Sequence, residues 1–270
     1  TDPRPTPMDR APQDPTAPLL GPGQWHRDAP VFRKGEAPAH VALIMDGNGR
    51  WAKKRMQPRV FGHKAGMEAL QEVTIAAKEM GVQVLTVYAF STENWTRPQQ
   101  EVSFIMNLPV EFYDRFVPEL HRNNVKIQMI GEVSRLPKET LEALEKAEVL
   151  THSNTGLILN FALNYGGRAE LTQAVKQIAQ EVLDAHLNPG DISEETIANY
   201  LYTSSLPKDL RDPDLIIRTS GELRLSNFLP WQAAYSELYF TDVMWPDFGE
   251  KALHDAIEEY SHRHRRFGGI

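Results

Sequence analysis

The 270-residue chain has room for one large domain, carries a formal charge of −7 and contains no cysteine. Disulfides, thiolate metal sites and cysteine nucleophiles are therefore excluded, and the acidic balance argues against a general nucleic-acid binder. No apolar run approaches the roughly 18 residues that span a bilayer, and no signal-peptide pattern opens the chain, so a cytoplasmic protein is expected.

Residues 1–38 read as a tail. Nine of the 19 prolines fall there and no apolar period appears, so the segment cannot bury enough surface to offset its ordering entropy. A single α/β domain is expected over 39–270. Short apolar or β-branched runs at 41–45, 84–90, 125–130, 157–163, 215–218 and 238–240 read as strands. Helical periods fill 62–80, 98–122, 137–152, 168–187, 193–202 and 249–265. Gly81 suits the position just past the end of the first helix. Pro109 and Pro118 predict a kink or break in the second. Strands separated by helices imply a mostly parallel sheet covered on both faces.

In such sheets ligands gather beyond the C-terminal ends of the strands. The unusual polar segments all follow predicted strands: DGNGRW (Asp46–Trp51), STENWTR (Ser91–Arg97), NYGGR (Asn164–Arg168) and RTSGELRLS (Arg218–Ser226). One shared active site is the expectation.

The first segment is a Gly-rich turn between strand and helix, where backbone amides approach an anion. Arg50 adds a charge-assisted contact to phosphate. Asp46 opposes this: like charges about 4 Å apart cost roughly 4 kcal/mol at an effective dielectric near 20. A divalent cation reverses the sign, and magnesium binds through one or two carboxylates plus substrate phosphates. Asp46 beside this loop implies Mg2+ and a diphosphate together. The same stretch reads GxGxxA from Gly47 to Ala52, which leaves a dinucleotide-binding oxidoreductase as a rival. The acid expected roughly 20 positions on would fall inside a helix, and Trp51 would crowd the turn.

Arg59 and His63 sit at a helix start, where cations oppose the macrodipole and make sense beside an anion. Lys64 there reads as a solvated charge. Asn94, Trp95 and Arg97 combine a polar handle, an apolar wall and a cation, suited to a substrate with a charged head and an apolar body. Arg218 and Arg224, with Ser226 nearby, resemble a second anion clamp; the plain alternative is a surface loop pairing with Glu222. Two phosphate sites and one metal carboxylate suggest a reaction between two diphosphates. Glu237 is either an edge charge or a second carboxylate near the metal.

HVALIMDGNGRWA, GHKAG, YAFSTENWTRP, NYGGR, IRTSGELRLSNF and ELYFTDVMWPDF resemble, in order and spacing, the cis-prenyltransferases of the bacterial undecaprenyl diphosphate synthase type. The resemblance runs from about residue 39 to the C-terminus. It implies a six-stranded parallel sheet flanked by helices, a homodimer, and Mg-dependent condensation of isopentenyl diphosphate with an allylic diphosphate such as farnesyl diphosphate. The implied product is a long polyprenyl diphosphate, undecaprenyl diphosphate for the cell-wall lipid carrier. A lipid product also implies transient contact with a membrane surface.

Carried over by motif, Asp46 holds Mg2+ on the allylic diphosphate, which Gly47, Asn48, Gly49, Arg50, Arg59 and His63 cradle and Trp51 borders. Asn94 assists proton removal, with Ser91, Thr92, Glu93, Trp95 and Arg97 beside it. Arg218, Arg224, Leu225 and Ser226 bind isopentenyl diphosphate. Glu237 matches a second metal-associated acid, and Arg266 and Gly268 an RxG tail that reaches the partner's site. Leu223 stands where some bacterial members carry His. Some relatives are non-catalytic partner subunits that lack parts of this set, whereas Asp46, Asn94, Arg218 and the tail are all present here. The growing chain needs an apolar tunnel, expected between the sheet and the helix at 98–122, with Ala89 leaving room and Leu157 shaping the far end.

Overall fold

The structure is a computed structural model and describes residues 32, 33 and 35–269; residues 1–31 and 34 of the expected tail lie outside these. The unit Phe32–Ile270 is compact. Within it Phe32 and Ala37, placed in the tail on sequence grounds, pack against the core.

In chain order the elements are β1 (His40–Ile44), α1 (Asn48–Lys54), α2 (Arg59–Glu79), β2 (Val84–Ser91), α3 (Gln99–Arg115), α4 (Val117–Arg122) and β3 (Lys126–Ile130), then α5 (Lys138–Thr151), β4 (Ile158–Tyr165), α6 (Gly167–Leu183), α7 (Glu194–Tyr200), β5 (Leu215–Arg218), β6 (Glu237–Phe240) and α8 (Glu250–Ser261). The six strands form one sheet in the order β3-β4-β2-β1-β5-β6. Every pairing is parallel. Because side chains alternate along a strand, Val41 and Leu43 enter the core built with α2, α3, α4 and α8. Ala42 and Ile44 enter a separate core with Tyr165 and Phe228.

Most predicted elements stand where the pattern put them. Gly81 (φ +93°) closes α2: its N–H donates to Lys78 O and that of Val82 to Ala77 O, the paired bonds of a Schellman ending. The helix predicted over 98–122 is interrupted at Phe116, just before Pro118, but α3 continues through Pro109. The turn after β1 proves to open a short helix of its own, α1, with seven residues.

His40 is fully buried at the start of β1. Its Nδ1–H donates to Leu210 O at 2.7 Å, and its Nε2 meets the Thr86 hydroxyl at 2.7 Å. Burial pushes its pKa down to about 4, against the pull of the Leu210 carbonyl and Asp214. In the unfolded chain a histidine titrates near 6.5, so below that pH the unfolded state binds more protons. Stability should therefore hold above pH ~6.5 and fall as pH drops towards 4. Between pH 7 and 5 the loss from His40 alone is roughly 2 kcal/mol. Urea midpoints at the two pH values measure it, and His40→Asn should flatten the profile. A wild-type midpoint that does not move with pH would rule this account out.

Candidate active site

Parallel pairing brings the C-terminal ends of β1 and β5 level, with Ile44 in register with both Arg218 and Tyr88, and β2 runs on to Ser91 at the same edge of the sheet. The segments that follow these strands build the site. Asp46 is fixed by its backbone: its N–H donates to Thr219 Oγ1 at 2.9 Å, and its carbonyl accepts from the same hydroxyl at 2.7 Å and from Trp245 N–H at 3.0 Å. Its carboxylate receives Arg218 Nη2 at 3.1 Å and Arg50 Nη2 at 3.4 Å. Arg218 is buried; its Nη1 donates to Arg224 O at 2.6 Å and to Ser226 Oγ at 2.7 Å. The arginine expected in a second anion site is thus also the neighbour of the first site's carboxylate.

Gly47 (φ +110°) takes the left-handed turn that starts α1, and a Cβ there would meet Ser220 Oγ at 2.8 Å. Helix α1 is too short for a strong macrodipole, so attraction for an anion rests on the loop amides and on guanidinium groups. Arg59, the first residue of α2, lies over Gly49 and donates through Nε and Nη2 to Glu101 Oε1 at 3.4 and 3.3 Å. His63 is buried, with Nε2 at 3.1 Å from the same oxygen and Nδ1 at 3.4 Å from Asn48 Nδ2. Burial lowers the His63 pKa despite the pull of Glu101, so its neutral ring donates to Glu101 and accepts from Asn48. Arg97 reaches Glu101 Oε1 as well, at 3.3 Å. Burial alone would raise the Glu101 carboxyl, but the His63 hydrogen bond and the Arg59 charge outweigh it and hold the pKa below the usual range.

Glu101 was not singled out from the sequence, although its position four residues after Arg97, across a helix start, was an available signal. Tyr88 and Asn227 were also missed; both line the cleft. Asn227 donates to Glu93 at 3.1 Å, and the Tyr88 hydroxyl donates to Ser226 O at 3.2 Å.

Two cavities meet here. One, of about 1290 Å3 counting its open mouth, has Asp46, Gly47, Asn48, Gly49, Arg50, Arg59, His63, Asn94 and Arg97 at the polar end. It continues between the sheet and α2, α3 and α5 past Met67, Ala89, Ile105, Phe112, Ala143, Ala147 and Phe161. The other, of about 1030 Å3, is bounded by Ser91, Glu93, Arg218, Ser226 and Asn227 and shares Asp46, Tyr88, Asn94 and Arg97 with the first. Asn94 stands on the shared wall, its Oδ1 accepting the Ser91 N–H at 3.1 Å.

Several expected contacts fall elsewhere. Trp51 does not line either cavity; its Nε1–H donates to Asp247 at 2.8 Å and Arg55 stacks on its ring at 4.0 Å. Trp95 braces the turn instead, donating to Asn164 at 2.8 Å and packing edge-on against Phe90. Thr92 abuts Gly166. Arg224 is exposed and pairs with Glu222 at 2.8 Å, the plain alternative noted for it, while Leu225 packs against the core and Leu223 is exposed. Leu157 is buried but does not border the cavity, which Ile127, Phe161 and α5 line instead.

Glu237 is not brought to Asp46 within the chain. It opens β6, in register with Leu215 and hence with Val41, at the opposite end of the sheet, and lies 3.7 Å from Arg263. Parallel pairing forbids these two residues of one chain from sharing a metal. Arg266 and Gly268 follow α8 and are exposed; their neighbour Arg265 is tied to Asp214, before β5, at 2.8 Å. Two carboxylates line the cavities, Asp46 and Glu93; Glu93 borders one of them and is held by Asn227 at 3.1 Å, whereas Asp46 borders both. Asn48 Oδ1 and Ser220 Oγ beside it are buried without a hydrogen-bond partner. One hard carboxylate among guanidinium groups fits Mg2+ that draws its other ligands from phosphate oxygens and water.

A family described as "Putative undecaprenyl diphosphate synthase" matches residues 44–268. An isoprenyl transferase of Streptococcus pneumoniae strain R6 is 79% identical over 235 residues, covering 87% of this chain and 93% of that protein. One from Streptococcus mutans is 75% identical over 239 residues, covering 88% and 96%. Lavandulyl diphosphate synthase from Lavandula x intermedia, solved with dimethylallyl diphosphate, aligns with TM-score 0.84 at 39% identity over 86% of this chain and 99% of that one. A "probable undecaprenyl diphosphate synthase" from Campylobacter jejuni aligns with TM-score 0.69 at 32% identity, over 86% and 98%. Among the described residues, no helix is long and apolar enough to cross a membrane.

Proposed function

The chain belongs to the undecaprenyl diphosphate synthase family of prenyltransferases, and from that premise we infer that it condenses isopentenyl diphosphate with farnesyl diphosphate, repeatedly, to undecaprenyl diphosphate. The observation that carries this reading is the pair of cavities meeting at Asp46, Asn94 and Arg97, of which one alone runs on into an apolar tunnel. An allylic diphosphate fits the first: head in the Gly47–Arg50 loop with Arg59, tail in the tunnel. Isopentenyl diphosphate, short and polar, fits the second, against Arg218 and Ser226.

Asp46 is the residue that would hold Mg2+, which when bound neutralises charge on the departing diphosphate. Arg50, Arg59 and Arg97 stabilise the same developing charge. The alkene of isopentenyl diphosphate bonds to the allylic carbon as the carbon–oxygen bond to diphosphate breaks. The resulting tertiary cation loses a proton from its neighbouring CH2 on the diphosphate side, away from the new bond, giving the cis alkene and a new allylic diphosphate. An amide is not a base, so Asn94 orients: with Oδ1 engaged by Ser91, its Nδ2 donates to a diphosphate oxygen, and that oxygen takes the proton. The apolar tunnel wall keeps water from the cation.

A cytoplasmic homodimer is part of this proposal. Edge strand β6, with Leu238 38% exposed and Tyr235 and Phe267 at 67% and 61%, offers apolar surface of the kind a second copy covers.

The test is incubation of the purified chain alone with Mg2+, farnesyl diphosphate and labelled isopentenyl diphosphate, followed by chromatography against polyprenol standards. A 55-carbon product that EDTA abolishes is the expected outcome. No product from the pure chain sinks this reading in favour of a non-catalytic partner subunit. Product length has its own test. Ala143 and Ala147 lie one turn apart on α5 and both face the tunnel. Ala143→Leu adds three buried carbons there and should shorten the product by one or more isoprene units without slowing the first condensation. An unchanged product length would show that α5 does not set the stop.

A further inference from the structure

We propose that the α1–α2 connection is a docking surface for an anionic lipid bilayer, set on the rim of the tunnel mouth. Residues 53–64 carry five basic side chains, Lys53, Lys54, Arg55, Arg59 and Lys64, and no acidic one, on a chain of net charge −7. All five are exposed. Arg55 and Arg59 are paired with Asp247 and Glu101; among the described residues, Lys53, Lys54 and Lys64 form no ion pair.

Met56 supplies the second, independent observation. The end of α1 is a Schellman turn: Met56 N–H donates to Lys53 O and Gln57 N–H to Ala52 O, both at 3.0 Å. The position that Met56 occupies is left-handed, φ +54°, and is the one where glycine is the usual residue. A methionine there strains the backbone and gains no packing in return, since 95% of it is exposed. Phe61, five residues on and the third residue of α2, is 48% exposed. Strain kept at a surface position, for an apolar side chain that touches nothing in its own chain, points to a contact outside the chain. Lysines flanking a projecting methionine and phenylalanine match an interface between anionic headgroups and acyl chains: the cations meet the headgroups and the apolar side chains enter below them. An acidic protein surface would satisfy the lysines but would give Met56 nothing to enter.

The position in the fold supplies a reason. Helices α1 and α2 also carry Asn48, Gly49, Arg50, Arg59 and His63, which line the mouth. On the proposed reading of the site, on which this inference rests, the product has a long hydrocarbon chain. Each methylene transferred to water adds to the cost of release, so the product needs an apolar phase at the mouth.

The test is co-sedimentation of the full chain with vesicles of phosphatidylcholine alone and of phosphatidylcholine mixed with phosphatidylglycerol, with elongation assayed separately in detergent. Wild type should bind the mixed vesicles, release in high salt, and ignore the neutral ones. Lys53→Glu with Lys54→Glu should weaken that binding about tenfold or more. Met56→Gly should weaken it roughly threefold and at the same time raise Tm, because glycine relieves the left-handed turn; a residue with only a structural role would not combine the two. All variants should keep the wild-type rate in detergent. Wild type that ignores both vesicles, or that binds both equally, overturns the proposal, as does unchanged binding in the charge-reversed variant. Wild type that binds vesicles but makes no product in detergent leaves the docking surface standing and refutes the elongation reading.

Discussion

Asp46→Ala should lower kcat by about two to three orders of magnitude and leave Tm close to wild type. The fold should hold because every bond that positions residue 46 comes from its backbone: to Thr219 Oγ1 through both N–H and C=O, and to the Trp245 amide. The side chain has a different task. It stands 3.1 Å from Arg218 and 3.4 Å from Arg50, one guanidinium lining each cavity, so its charge fixes how the two proposed anion sites sit relative to each other. It is also the carboxylate that borders both cavities, and the one proposed to hold Mg2+. Arg218 keeps its bonds to Arg224 O and Ser226 Oγ in the variant, and the site is part-exposed, which limits the cost of the lost pair. Asp46→Asn separates the two roles. The amide still accepts from Arg218 but brings no negative charge. An Asn variant as slow as the Ala variant assigns the loss to the missing charge; one that recovers most of the rate assigns it to the placement of Arg218. Rates are compared at saturating Mg2+ with labelled isopentenyl diphosphate, and an Ala variant near wild-type turnover would refute the metal role.

The strand pattern was legible because parallel strands buried on both faces write themselves as short apolar runs, and the convergence of DGNGRW, STENWTR and RTSGELRLS follows from parallel topology alone. What was not legible depends on strand order. Asp46 and Arg218 are 172 positions apart, and nothing in the sequence says that β5 lies beside β1. The electrostatic argument therefore asked for a cation beside Asp46 and found a metal, without seeing that two arginines already flank it. Register also separated Glu237 from Asp46, which proximity to a motif could not reveal. Composition points Trp95 to substrate and the motif resemblance points Trp51 there, yet each spends its indole N–H on the scaffold, on Asn164 and Asp247. Glu101 went unnoticed because an acid at a helix start has an ordinary explanation in the macrodipole; its contacts with Arg59, His63 and Arg97 exist only once α2 and α3 are side by side. Of the two prolines expected to kink or break the helix, Pro109 is carried by α3 without ending it, and the interruption falls at Phe116, just before Pro118.

Gly62→Ala should be among the most damaging single-methyl additions in the protein. A Cβ at Gly62 would lie 1.9 Å from the carbonyl oxygen of Asn48 and 2.6 Å from its carbon. Both atoms are backbone, so no side chain can swing aside, and α1 must separate from α2. Overpacking a rigid site costs about 3 kcal/mol or more, which in a domain of this size lowers Tm by roughly 6–12 °C. Activity should fall as well, because Asn48 and Gly49 sit in the loop proposed to hold the diphosphate and Asn48 is held 3.4 Å from His63. Two neighbouring glycines separate stability from function. At Gly66 the added carbon meets Asn48 Oδ1 at 2.9 Å, a side-chain atom that can rotate, so Gly66→Ala should be milder on both counts. At Gly49 it meets the Arg59 guanidinium at 2.3 Å, the far end of a flexible side chain. Gly49→Ala should therefore melt near wild type while turnover drops, since Arg59 is pushed off the loop it covers. Thermal unfolding and initial rates on the three variants decide the matter. If Gly62→Ala melts with the wild type, α1 and α2 do not approach this closely, and the glycines of the GHKAG segment need another explanation.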